Sequence, residues 1–444
     1  MREIIERFVA DFQTRELPAF TPRTVKWPVV PGKANAVVGM RRSGKTFFLL
    51  QRIAELGSEG VPRRLILYVN FEDERLLPLA TRDLQEFPDA LYRLYPENRD
   101  ALCYLFLDAI HVVPGWEHFV RRLVEEGRVQ VAVTGSSARL LSREVASSLR
   151  GRSLTTEILP FSFEEALRNR GIQPPERFPV PERLRSILEK QFREYIHTGG
   201  FPEVQAMSAE LRTRVLQEYV QVAVFRDVVE RYAIAHVAAL HQLVRHIVSA
   251  PARLLSVHKV YQALKSQGFR LAKDAVYDDV RFLEDAFLLF TVERESSSTR
   301  VRMVNPRKCY VADPGIAGAF SQRASQGIGY LLENIVYLEL RRRGCDLTYM
   351  VTHDGHEVDF VARRAGKPDE LIQVCADLRD GATRERELQA LREGLQEIGS
   401  ARCTIVTLGD EETIALGRRR VRAVPAWRWL LEDRATTVIA TAHS

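Results

Sequence analysis

The 444-residue sequence predicts an α/β protein of several domains. Three stretches carry that expectation. Ala36-Val37-Val38 runs into the glycine-bearing loop Gly39-Met40-Arg41-Arg42-Ser43-Gly44-Lys45-Thr46, and helical periodicity starts at Thr46. LCYLFLDAIH, at 102–111, is an apolar run that closes on one carboxylate, as buried parallel strands do. SVHKVYQALKSQGF, AKDAVYDDVRFLEDAFLLF and FLLFTVERESSSTRVRMV together read as helix, turn, helix and hairpin.

The loop matches G-x-x-x-x-G-K-[ST]. Glycines at its ends let backbone N–H groups face a phosphate chain, the lysine reaches the terminal phosphates, and the last hydroxyl serves Mg²⁺. ATP and Mg²⁺ are therefore the expected ligands. Gly39, Arg42, Ser43, Gly44, Lys45, Thr46 and Phe47 are the expected nucleotide contacts, and Thr46 with Asp108 the metal holders. LCYLFLDAIH then becomes the second strand of a P-loop core. Many nucleotide hydrolases carry two adjacent acids at this strand end, and here Ala109 follows Asp108. The alanine is read either as an acid lost in nature or as a replaced glutamate. The next strand, VAVTGSS, offers Thr134 or Ser136 as a γ-phosphate sensor, or merely a turn. Arg150 and Arg152, in SSLRGRS, are either an arginine finger or a solvated face.

Hydrophobic residues make up 45% of the chain, enough for several cores. The net charge of +6 and a pI of about 9.1 suit a nucleic-acid partner without requiring one. The cysteines, Cys103, Cys309, Cys345, Cys375 and Cys403, form no C-x-x-C pair, which argues against a disulfide framework and structural zinc. No run is apolar enough to span a bilayer, and the N-terminus lacks the apolar core of a signal peptide. A soluble, cytoplasmic protein with no membrane partner is expected.

The expected organisation is a nucleotide-binding core over 1–160, a helical lid over 161–235, a winged helix over 236–309 and a last domain over 310–444. Gly199-Gly200 reads as a break with little chemistry. Lys273, Arg294, Arg300 and Arg302 are placed at a helix start and on the wing, where DNA phosphates are met. The acids Asp278, Asp279, Glu284 and Asp285 favour a protein-docking alternative. In the last domain, Glu333 falls on a helix, Glu357 and Asp359 alternate on a strand, and Gln373-Val374-Cys375 follow on the next. Helix Glu, strand Asp and a following acid-x-Lys make a metal-dependent nuclease centre. Here the last piece is Gln-Val-Cys, so Glu333, Asp359 and Gln373 are expected to be a remnant that holds metal weakly and does not cleave.

Taken together, GMRRSGKT, YVNFEDERL, YLFLDAIHVVPGWE, VTGSSARLLS, SLRGRS, HTGGFPEV, FRDVVERY, VYDDVRFLEDAFLLF, DPGIA, LLENIVYLEL and EVDF resemble one known group. They are similar to the prokaryotic AAA-type P-loop ATPases that join a winged helix to a C-terminal restriction-endonuclease-like domain, over nearly the whole chain. The resemblance implies ATP and Mg²⁺ at Gly44, Lys45, Thr46 and Asp108. It makes Arg150 or Arg152 a finger acting across a subunit boundary, and places Glu72 and Asp73 beside the γ-phosphate. It departs at Asp108-Ala109-Ile110-His111, where the group looks like Asp-Glu-Ile-Gln, and at the absent acid-x-Lys. The function it implies is a DNA-associated ATPase that assembles on ATP and hydrolyses it poorly. A homo-oligomer, with a ring of six as the class-level expectation, would engage DNA, branched or forked forms included. The alternatives are a signalling or scaffold ATPase that holds protein, and an ATP-dependent nuclease.

Overall fold

A computed structural model describes residues 1–135, 151–321 and 327–432. The chain divides into two compact units, Met1–Leu159 and a second that starts at Pro160.

The first unit is built on strands β1 (Ala34–Val38), β2 (Ile66–Asn70), β3 (Cys103–Asp108), β4 (Val129–Thr134) and β5 (Ser153–Glu157). They form one parallel sheet in the order β2-β3-β4-β1-β5. A parallel sheet is covered on both faces, which is why β1 is buried at every position and reads as a continuous apolar run. Helix Lys45–Ser58 lays Phe48, Leu49, Ile53 and Leu56 against Val37, Ile66, Phe106 and Ala132. Helix Arg2–Thr14 buries Ile5, Val9 and Phe12, a stripe one side of the helix wide. Because all strands run the same way, their C-terminal ends bring Val38, Asn70, Asp108 and Thr134 to one edge of the sheet, where ligands of open α/β sheets sit.

The second unit opens with helices Phe163–Asn169, Glu182–Thr198, Ala209–Val222 and Val237–Val248; the third runs on into a π-helical turn at Ala223–Val229. Strands β6 (Arg253–Leu255), β7 (Leu289–Arg294), β8 (Arg307–Val311), β9 (Asp346–Val351), β10 (Glu357–Arg363), β11 (Asp369–Cys375), β12 (Ala401–Thr407), β13 (Glu412–Leu416) and β14 (Arg419–Pro425) follow. They make a single nine-stranded sheet, β13-β14-β12-β11-β10-β9-β7-β8-β6. Its C-terminal half packs on helix Gly381–Ile398 through Met350, Val358, Leu371, Leu391 and Ile405. Helix Ile328–Arg342 is buried from Leu331 to Leu340. Among the described residues, no helix is long and apolar enough to cross a membrane.

Two expectations change here. The hairpin expected at 289–304 has its first strand, β7, but Thr299–Val304 is a short helix and the partner strand starts at Arg307. The cause is local. The Ser298 hydroxyl accepts from the Val301 N–H and caps a helix, and Pro306 forces Asn305 into extended backbone before the strand begins. The boundary expected between 309 and 310 falls inside β8, and β7 pairs β8 on one side and β9 on the other, so the sheet runs through it.

Gly199-Gly200 also does more than break a helix. The Asp313 carboxylate accepts from the Gly200 N–H at 2.5 Å and the Gly315 N–H at 2.8 Å, tying HTGGFPEV to DPGIA. A Cβ on Gly200 would stand 2.1 Å from the Phe161 carbonyl oxygen, whose own N–H donates to the Gly200 oxygen at 2.7 Å. Gly200→Ala must displace backbone and is expected to destabilise the second unit by about 2–3 kcal/mol. A thermal melt within a degree of the parent would reject this account.

Candidate nucleotide site and carboxylate centre

The phosphate loop lies between β1 and helix Lys45–Ser58. Gly39 has φ +148°, and a Cβ there would lie 2.2 Å from the Ile158 carbonyl oxygen, so the loop can pack this close to the chain after β5 only with glycine. Gly44 caps the helix at φ 101°. The Lys45 ammonium curls over the loop and donates to the Gly39 and Met40 carbonyls, each at 2.9 Å. Thr46 donates its hydroxyl to Asp108 Oδ2 at 2.7 Å. The Ser43 hydroxyl is buried with no hydrogen-bond partner among the described residues. An orphaned hydroxyl, an ammonium held over the loop, and a threonine meeting a carboxylate at a helix N-terminus fit a magnesium nucleotide. Arg42 crests the loop at φ 66°, and Phe47 is half-exposed on the first helical turn. On that side of Thr46 lies a cleft of about 470 Å³, lined by Phe8, Arg15, Phe47, Tyr68 and Asn70 among others.

Asp108 is 4% exposed and fully engaged. Besides Thr46, it accepts from the Tyr68 hydroxyl at 3.0 Å and from the Thr134 hydroxyl. Thr134 in turn accepts from the Ala109 N–H at 2.8 Å. Thr134, one of the two residues offered as a γ-phosphate sensor, thus lies against the Asp108 carboxylate. Tyr68 was not anticipated; burial, then the Asp108 charge, pushes its phenol well above the ordinary range, so it stays a donor. Its signal lay in strand alignment, since β2 pairs β3 with Asn70 opposite Asp108. Arg23 was also missed. Its guanidinium donates to the Ser43 carbonyl at 3.3 Å and to the Leu159 carbonyl, bracing the loop from below.

Ala109 is buried in left-handed backbone, φ 54° and ψ 32°. In this conformation alanine costs about 1–2 kcal/mol. Of the acids after β2, Glu72 is exposed, with its carboxylate 4.0 Å from Arg41 of the loop. Asp73 is committed elsewhere: Arg75 holds it at 2.7 and 2.9 Å, and that hydrogen-bonded partner lowers its pKa. Arg152 precedes β5, level with Ala34 at the far end of β1 from the loop, and pairs with Glu125 at 2.5 Å. It faces away from its own phosphate loop. Ser136 and Arg150 lie outside the described residues.

In the second unit, Lys273 begins helix Lys273–Asp285 with its ammonium 5.7 Å from the Tyr277 ring centre. Lys273, Tyr277 and Arg281 are exposed at a spacing of four, one stripe on the helix. Arg294 is not on a wing tip: its guanidinium is used internally, on the Val351 carbonyl at 3.1 Å and Asn305 at 3.4 Å. Arg300 and Arg302 ride the short helix Thr299–Val304.

Glu333, Glu357 and Asp359 do come together, around a residue the sequence did not reveal. Lys308 on β8 is 2% exposed, and its ammonium lies 2.9 Å from Glu333, 2.7 Å from Glu357 and 2.8 Å from Asp359. Burial opposes its charge, but Asp359, Glu333 and Glu357 outweigh burial and raise it well above the usual lysine range. Gln373 accepts from the Asp359 N–H at 2.7 Å and donates to the Glu357 carbonyl at 2.8 Å and to Glu387 at 2.7 Å. Burial pushes the Cys375 thiol up to about 11. The available signal was a lysine two positions before Tyr310 in the otherwise apolar KCYV, on the face that packs inward.

Residues 31–167 match the profile of an AAA domain, and 189–327 match the domain of unknown function DUF8612. Protein MJ1544 of Methanocaldococcus jannaschii is 34% identical over 92% of this chain and 90% of its own. The chain belongs to the family of MJ1544. Its phosphate loop and parallel sheet fall within the region that matches the AAA domain, so residues 31–167 form a P-loop domain of AAA type. A Haemophilus influenzae protein is 27% identical over 77% of this chain and 81% of its own. Among solved structures, the Walker-type ATPase PABY2304 of Pyrococcus abyssi aligns over 72% of this chain and 95% of its own, at 13% identity and a TM-score of 0.39. Such a distance bears on neither ligand nor partner.

Proposed function

We propose that this protein binds Mg-ATP in its first unit, self-associates when it does so, and engages DNA through its second unit, with slow hydrolysis in the chain as written. The observation that supports it best is the junction of Thr46, Tyr68 and Thr134 on the Asp108 carboxylate beneath Lys45, with alanine next to it. In this reading Lys45 meets the terminal phosphates, Gly39, Arg42, Ser43, Gly44 and Phe47 surround the nucleotide, and Thr46 with Asp108 holds Mg²⁺. Mg²⁺, when bound, neutralises charge on the phosphate oxygens. Arg150 or Arg152 is the finger offered to a neighbouring subunit, which makes self-association part of the function. A ring of six follows from the class and is tested by particle mass with and without a non-hydrolysable ATP analogue. A mass that stays monomeric with analogue bound would reject ATP-dependent assembly.

Residues 236–309 are read as a winged helix, and residues 310–444 as a restriction-endonuclease-like domain. Lys273 and Arg281 on helix Lys273–Asp285, and Arg300 and Arg302 on helix Thr299–Val304, would meet phosphates, on linear or forked DNA. Charge reversal at these four positions is expected to weaken binding to all DNA sequences and to flatten the salt dependence by about one unit of slope for each lost contact. The check is a gel shift across a salt series. Asp274 on the exposed stripe, and Asp278 paired with Arg281 at 2.8 Å, favour the second reading, a protein-docking winged helix. No shift by the unmodified protein at low salt would select it.

A further inference from the structure

The nuclease-like resemblance implies a divalent metal among Glu333, Asp359 and their neighbours, and the structure does not fit one. We infer that Lys308 supplies the cation of this centre from the chain itself, so that the carboxylates form a closed, metal-independent ion-pair core.

The geometry leaves no vacancy. The Lys308 ammonium donates to Glu333 at 2.9 Å and to Asp359 at 2.8 Å, and its charge also lies 2.7 Å from Glu357. The oxygens it takes, Glu333 Oε1, Glu357 Oε1 and Asp359 Oδ1, are the ones that converge. Glu333 Oε1 also accepts from the Tyr310 hydroxyl at 2.8 Å, and Asp359 Oδ2 from the Val374 N–H at 2.9 Å. The one neutral oxygen in reach, that of Gln373, is turned onto the Asp359 N–H. Mg²⁺ needs oxygens at about 2.0–2.1 Å, and it would share these with an ammonium already in direct contact, where two cations repel strongly. Lys308 cannot step aside cheaply. Its strand is hydrogen-bonded to β7 on one side and β6 on the other, and Val311 exchanges both backbone bonds with the Asn334 side chain, at 2.8 and 3.0 Å, next to Glu333. Among the described residues, no cluster of three or more His, Cys, Asp or Glu is arranged to hold a metal.

The cage is therefore a cation site already filled, and removing the lysine should open it. The test is Mn²⁺ titration of the full chain, free of nucleotide, followed by electron paramagnetic resonance of free Mn²⁺, with circular dichroism to confirm folding. The unmodified chain and Asp359→Asn are expected to bind the same number of Mn²⁺ ions. Lys308→Ala is expected to gain one equivalent, lost again in Lys308→Ala/Asp359→Asn. A Mn²⁺ site in the unmodified chain that Asp359→Asn removes would overturn the inference, as would Mg²⁺-dependent nicking of supercoiled DNA that Asp359→Asn abolishes. A folded Lys308→Ala that gains no ion overturns it too. Should Lys308→Ala fail to fold, the comparison of the unmodified chain with Asp359→Asn still decides.

Discussion

Ala109→Glu is expected to raise ATP turnover by about 10²–10⁴-fold, the usual contribution of a positioned general base, equivalent to roughly 3–5 kcal/mol of barrier. On the proposed reading the residues that would hold nucleotide and metal are present, and what the chain lacks is a carboxylate beside Asp108 to receive a proton from attacking water. Backbone strain does not stand in the way. Ala109 already places a Cβ in left-handed backbone, so glutamate meets the same penalty alanine does. The Ala109 N–H is anchored on Thr134, which fixes the direction of the new side chain relative to Asp108. The competing arrangement uses Glu72. The Phe71 N–H donates to the Asp108 carbonyl at 3.0 Å, so Glu72 starts one residue from the tip of β3, and its carboxylate already faces Arg41 of the loop. Phosphate release by the unmodified chain, Ala109→Glu and Glu72→Gln separates the two. A brisk parent silenced by Glu72→Gln, with no gain from Ala109→Glu, would move the base to the β2 loop.

Contiguous features were legible in the sequence and convergent ones were not. The phosphate loop occupies eight successive residues, and its chemistry depends on local backbone shape, so spacing alone was enough. The strand ending at Asp108 announced itself by an apolar run that only a two-sided burial explains. Tyr68 and Arg23 reach the same site from strands and segments far away in sequence, and their residue types carry no periodic signal. The second strand of the hairpin was misplaced for a different reason. Val301 and Arg302 favour a strand by pattern, but the Ser298 cap and Pro306 decide the local backbone first, and the strand moves to Arg307. That shift hid Lys308. With β8 placed too early, the lysine fell at the end of the expected winged helix, and the nuclease-like centre was judged from its Gln-Val-Cys ending. A lysine can enter such a centre from any strand whose side chains face it, so reading the acid-x-Lys position settles only one of several routes.

Lys308→Met is expected to cost the second unit about 3–5 kcal/mol, the usual penalty for leaving a buried charge unpaired. Methionine keeps the length and apolar stem of lysine, so packing is little changed and the loss reports charge. Glu333 is hardly exposed and Asp359 is 15% exposed, so water cannot take over as their partner as it does at the rim, where Glu357 is 39% exposed. Removing one partner and removing the set have different consequences. With Lys308→Met/Glu333→Gln/Asp359→Asn, neutral amides replace carboxylates of similar shape, and the Tyr310 hydroxyl and Val374 N–H keep their acceptors. That triple variant is expected to recover more than half of the stability lost in the single one, because exchanging a whole buried ion-pair set is far cheaper than breaking it. Chemical denaturation followed by the fluorescence of Trp427 and Trp429, which belong to this unit, reads both changes. A triple variant no more stable than Lys308→Met would mean that the lysine's packing, its ammonium 5.9 Å from the Tyr349 ring centre, holds the centre together and the ion pairs do not.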